Sequence, residues 1–324
     1  MRQQGAALIE LAFGRDRARR RERVGPTASP GTDARRVLQL ALAGIWLLDG
    51  LLQYQSSMYG AMFGQMIGGT AEGNPGVIAD PISWNTALVE HHLVLLNTVF
   101  ATIQLLLGLG IAYRPTARAA LAASIAWSLA VWWFGEGLGG VLSGGASPVS
   151  GAPGAVILYA LLAVLLWPAD RPCATAPFVA ARAVGAPAAR LLWLVLWGSL
   201  AYFALTPANR APQALPDMIV SMTGGEPGWV TGLENHAAAV LANQGLTASI
   251  VLAVALAVIA IGVFLPAPPA RGVLILALVV AAFIWVFGEA FGQILTGGAT
   301  DPNSGPLLAL LALAYWPPAP GKSA

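Results

Sequence analysis

Charge and sulfur are both scarce in this chain of 324 residues. Asp, Glu, Lys and Arg make up 10% of it, far under the roughly 25% of an ordinary soluble domain. A single cysteine, Cys173, excludes an internal disulfide scaffold, a CxxC redox centre and a thiolate metal cluster. The chain also lacks GxSxG, HExxH, GxxxxGK[ST] and a dinucleotide fingerprint after a strand. The usual signatures of soluble hydrolases, metalloproteases and nucleotide enzymes are therefore missing. The loops are too short to house a soluble catalytic domain.

Apolar residues fill the space: 57% of the positions are hydrophobic and the mean hydropathy is +0.69. Apolar runs stand at 36–55, 83–113, 117–142, 154–168, 190–206, 230–265, 271–296 and 305–317. Several reach the roughly 20 residues that cross a bilayer. The reading is an all-α integral membrane protein with eight transmembrane helices and the lipid bilayer as its solvent.

Basic residues set the expected orientation, because cytoplasmic flanks collect Lys and Arg. Nine arginines precede or open the first run, up to Arg35 and Arg36; Arg114, Arg118, Arg171, Arg182, Arg190, Arg271 and Lys322 fall on the same side of an eight-span topology. Only Arg210 falls opposite, with Glu72, Asp80, Asp217, Glu226 and Asp301. Both termini are expected in the cytoplasm and the chain in the cytoplasmic membrane. The run Arg15 to Arg23 reads as a topology signal with some attraction to anionic lipid rather than as a nucleic-acid site. A polar linker follows it, unlike a secretory leader, so the first span is expected to be retained.

Phe134-Gly135-Glu136 through Ala146 recurs as Phe287-Gly288-Glu289 through Ala299, with eight of thirteen columns identical. Arg118 and Arg271 each precede their glutamate by eighteen residues, and Trp132 pairs with Trp285, Trp167-Pro168 with Trp316-Pro317, and Gly44 with Gly198. Trp84 with Glu90-x-His92 pairs with Trp229 and Glu234-x-His236. These matches divide the chain into a basic tail (1–35), a first four-helix repeat (36–168), a linker (169–189), a second four-helix repeat (190–318) and a C-terminal tail (319–324). Four spans per repeat give both halves one topology. In each, a glycine-rich, potentially re-entrant stretch precedes a short fourth helix, opened by Pro153 or Pro306. A short span after such a stretch points to a site in transport folds.

The candidate site residues follow from the cost of a carboxylate in hydrocarbon, roughly 2.5 to 3.5 kcal/mol even on lenient scales. Glu136 lies about 27 Å above Arg118 and His92 about 33 Å above Arg114 by helical rise. Glu90, His92 and Glu136 can therefore share a level, as can Glu234, His236 and Glu289. Three readings apply to this cluster: a divalent metal ion held by Glu, His and Glu, a proton or cation pathway through buried glutamates, or an interhelical pair that pins the bundle. Haem between His92 and His236 is a further cofactor reading, and quinone in a cleft between the halves another. Asp49, about 20 Å into the bilayer and matched by Phe203 in the second half, is a candidate relay group. Its simplest alternative is a bond to Gln53 or Gln55. Asn97, Gln104, Asn243 and Gln244 read as interhelical glue, and the tryptophans near span ends as interfacial anchors.

The leading expectation is a transporter or channel for a small ion, proton or cation, rather than an enzyme. The alternatives are a membrane subunit of a redox system that binds quinone or haem, and a structural or assembly subunit of a larger membrane complex.

Overall fold

The computed structural model describes residues 33–168 and 176–318. The arginine-rich tail, Cys173, Arg171 and Lys322 lie outside them. Every regular element among the described residues is helical. The first half holds α1 (Ala34–Gln53), α2 (Ala61–Gly69), α3 (Gly76–His91), α4 (Leu93–Ala112), α5 (Ala117–Phe134) and α6 (Ala155–Leu165). After a single turn, α7 (Ala181–Val184), come α8 (Ala186–Ala204), α9 (Ala214–Ser221), α10 (Gly228–Leu241), α11 (Gly245–Gly262), α12 (Ala267–Phe283) and α13 (Ser304–Ala314).

Among the described residues six helices are long and apolar enough to cross a membrane: α1, α4, α5, α8, α11 and α12. By length and composition the chain is a multi-pass membrane protein. The other two expected spans, α6 and α13, have 11 residues each, about 17 Å of helix against a hydrocarbon layer near 30 Å. Both are largely apolar and mostly buried, as suits a helix without a polar face. Each buries eight of its eleven residues, and they pack on one another at the centre of the molecule.

Two runs that hydropathy reads as single helices are broken. The run 83–113 divides between α3 and α4 at His92, whose backbone (φ −122°, ψ 33°) leaves the helical region at the polar Glu90-His91-His92 sequence. The run 230–265 divides between α10 and α11, where Asn243 takes φ 62°, a left-handed conformation that asparagine tolerates better than most residues. The Glu-x-His pairs consequently sit on α3 with its junction and on α10, not on the long apolar helices.

The most extensive contacts join α1 to α4, α8 to α11, α5 to α6 and α12 to α13. Close approach of α1 and α4 depends on a small residue: a Cβ at Gly108 would stand 2.8 Å from the Ala43 carbonyl oxygen. Membrane helices commonly use small residues this way, since lipid supplies no hydrophobic drive between them. The outer helices turn Val94, Leu95, Leu106, Val251 and Ile261 outward.

Arginines close one end of the bundle. Arg36 donates through Nη1 to the Ile111 carbonyl at 2.9 Å, Arg118 to the Pro168 carbonyl at 3.0 Å and Arg271 to the Pro318 carbonyl at 3.1 Å. Cations there meet carbonyls left without partners at and beyond helix C-termini. The glycine-rich loops lie at the far ends of α5 and α12.

Candidate functional site

Glu136 and Glu289 each follow a long helix, and each turns to the start of a short one. Val156 N donates to both oxygens of Glu136, at 3.2 and 3.3 Å. Ser304 N donates to Glu289 Oε1 at 3.1 Å, Gly305 N to Oε2 at 3.0 Å, and the Ser304 hydroxyl also donates to Oε1. A carboxylate on the free amides of a helix N-terminus satisfies orphan donors and meets the positive end of the helix dipole. Beside each cap an indole holds the incoming loop: Trp132 Nε1 donates to the Pro153 carbonyl at 2.7 Å and Trp285 Nε1 to the Pro302 carbonyl at 3.0 Å.

That geometry corrects the helix starts. Gly154 precedes α6 and Asn303 precedes α13, with Asn303 Oδ1 accepting from Ser304 N. Pro153 therefore lies outside α6, Pro306 lies inside the first turn of α13, and Pro302 is the residue placed like Pro153.

The expected Glu-His-Glu groupings are not assembled. Among the described residues no three of His, Cys, Asp and Glu come together as a group that could hold a metal ion. Glu90, His92 and His236 are exposed, and His92 lies against its neighbour His91, ring centroids 4.5 Å apart. Glu136 and Glu289 are occupied by helix caps. Glu234 is fully buried on α10, and neither of its oxygens has a hydrogen-bond partner.

A cavity of about 350 Å³ opens instead in the first half, within the range of small-molecule sites. Its walls include Trp46, Phe63, Trp84, Phe100, Trp127 and Phe134. Three acids reach it from distant parts of the chain: Asp49 on α1, Glu136 after α5, and Asp301 in the loop before α13. Asp49 is 2% exposed. Its partner is neither Gln53 nor Gln55; the Tyr159 hydroxyl on α6 donates to Asp49 Oδ2 at 2.6 Å, and Oδ1 has no partner. Gln53 pairs with Asn97, whose Nδ2 donates to the Gln53 carbonyl at 3.0 Å, so Asn97 acts as the expected glue. Asp301 accepts from Asn303 N at 2.7 Å and from the Thr300 hydroxyl at 2.8 Å. Gln104 Oε1 and Trp127 Nε1, both of lining residues, are buried without partners.

The glycine-rich loops cross between halves. The Ser57 hydroxyl donates to the Gly297 carbonyl, and Asn209 Nδ2 donates to the Ala146 carbonyl at 2.8 Å. This crossing brings Thr300 and Asp301 to the first-half cavity. Phe203, in the Asp49 column of the second half, packs with Ala146 and Ala152.

Sequence reasoning singled out Asp49 and Glu136 but missed Tyr159, Asp301 and Trp127 as site residues, and took Gln104 for glue. Tyr159 carried a signal, being the one hydroxyl in the apolar helix Ala155–Leu165. Asp301 carried none, because its role depends on the crossing.

Glu226, in the loop between α9 and α10, has both carboxylate oxygens buried without partners, and burial pushes its carboxyl above the usual range. A raised carboxyl favours the protonated folded state, so this contribution is full at low pH and lost as pH rises through the folded ionisation. Glu226→Gln is expected to raise the melting temperature in detergent at neutral pH. The gain should shrink as pH falls toward about 4, where the native carboxyl is also neutral.

No protein-family model, curated protein or solved structure matches the chain.

Proposed function

We propose that the protein is a membrane transporter or channel for a proton or small cation, and that the first-half cavity is its site. The observation that carries this reading is the gathering of Asp49, Glu136 and Asp301 around one cavity whose lining, among the described residues, has no Lys, Arg or His. Ionisable groups in a membrane interior cost free energy and mark ion or proton paths. Within that reading the chain is two four-helix units of one topology, an arrangement supported by the recurring peptide and by the matched caps of α6 and α13. The arginine end is then cytoplasmic, in the cytoplasmic membrane of the cell, and the acids lie toward the opposite face.

In liposomes, the native chain should carry a proton or cation flux that Asp49→Asn lowers by at least about tenfold, the change that about 1.4 kcal/mol produces. Unchanged flux in a folded Asp49→Asn protein would remove the cavity from consideration. A second reading, a quinone-binding subunit of a redox system, draws on the aromatic walls and the Asp49–Tyr159 pair. It requires quinone in solvent extracts of the native protein. Haem is less suited, since no histidine lines the cavity.

A further inference from the structure

We propose that the cation this cavity takes is a lipophilic organic ammonium, with its charged head at Asp49 and its apolar body between the aromatic rings. The inference rests on the cation reading above and narrows it to a class. Size is the first argument: the cavity encloses about 350 Å³, whereas a single water occupies only about 30 Å³ of liquid. A bare metal ion would leave most of that space unfilled, and no group of three ligating side chains stands ready for one among the described residues.

The walls are the second argument. Trp46, Trp127 and Phe100 line the space, Phe100 and Trp127 lie 5.4 Å apart between centroids, and Trp84 and Phe134 complete the lining on exposed positions. Aromatic faces attract cations most strongly where water is excluded. The same rings cover an apolar body by ordinary hydrophobic burial.

The third argument is the pattern of unmatched polar atoms. Asp49 Oδ1 and Gln104 Oε1 are buried without partners, and an unmade buried hydrogen bond is costly. An ammonium supplies several donors and no acceptor, the complement of unpartnered acceptor oxygens. A neutral quinone offers only acceptors and would leave the acceptor Gln104 Oε1 unmatched. The remaining unpartnered group, Trp127 Nε1, is a donor and leaves a place for one acceptor on the ligand body.

The test uses the purified full chain in detergent, with tryptophan fluorescence as readout and phenethylamine as probe. Phenethyl alcohol, menadione and sodium chloride serve as comparisons. Saturable quenching by phenethylamine is expected, weakened at least about tenfold by Asp49→Asn and to a smaller degree by Gln104→Leu. Gln104→Leu leaves the carboxylate in place and guards against misfolding of the first variant; melting curves of both check the fold. Equal binding of phenethyl alcohol or menadione overturns the inference, as does full binding by folded Asp49→Asn. If phenethylamine fails to bind while Asp49-dependent flux of protons or sodium persists in liposomes, the inference falls and the cation reading stands. If neither binding nor flux is seen, both fall.

Discussion

Glu289→Ala is expected to destabilise the folded protein strongly, more than Glu136→Ala. Glu289 is fully buried and accepts from Ser304 N, Gly305 N and the Ser304 hydroxyl. Hydrogen bonds to a charged group are worth about 1.5–3 kcal/mol each, and donors left unpaired cost about 1–3 kcal/mol more. A loss of roughly 3–5 kcal/mol follows, at the upper end of what single substitutions do when they break a buried hydrogen-bond network. That is a large share of a total stability of about 5–15 kcal/mol. Glu136→Ala should cost less, about 1–2 kcal/mol, a typical loss for a helix cap. Glu136 is only half-buried, and the Val156 amide is the donor that meets both its oxygens. Thermal unfolding of detergent-purified variants measures both, and the order of the two is the informative result. Equal losses, or no loss at position 289, would show that capping is not the role of these glutamates.

Gly139→Ala is expected to be comparably damaging for a different reason. Gly139 has φ 62°, and a Cβ placed on it would stand 2.0 Å from the Pro153 carbonyl oxygen. That oxygen is main chain and already accepts from Trp132, so it cannot move without disturbing the loop that leads into α6. Left-handed backbone alone costs a side chain roughly 1–2 kcal/mol, and a forced backbone shift adds about 1–3 kcal/mol. Gly144 supplies the comparison: its φ is 80°, but nothing lies within 4 Å of the added atom. Gly144→Ala should therefore show only the conformational cost. A Gly139→Ala melting temperature no lower than that of Gly144→Ala would refute the close-approach argument.

Membrane class was legible because composition decides it: few charges and long apolar runs leave little else. The helix breaks at His92 and Asn243 were not, since hydropathy averages over side chains and does not register two residues of altered backbone. The repeated glutamates were legible as special, yet spacing along a helix gives a level in the membrane, not a neighbour. The neighbours proved to be helix amides. The prolines show how linear counting misleads. Pro153 and Pro306 each follow their glutamate by seventeen residues, so counting aligns them. The capped amide, however, lies twenty residues after Glu136 and sixteen after Glu289, a difference of four taken up in the first loop. Asp49 could be found as a lone acid in an apolar run. Its partner Tyr159 lies 110 residues away and follows only from the central placement of α6.

The crossing of the loops also decides what unit of gene can make the pocket. A fragment ending before the linker encodes Asp49, Glu136 and Tyr159 but neither Thr300 nor Asp301, so it yields a pocket with one wall absent. On the cation reading proposed above, a first-half fragment alone is expected not to bind, and complementation by a second fragment supplied in trans becomes a direct readout of the exchanged loop.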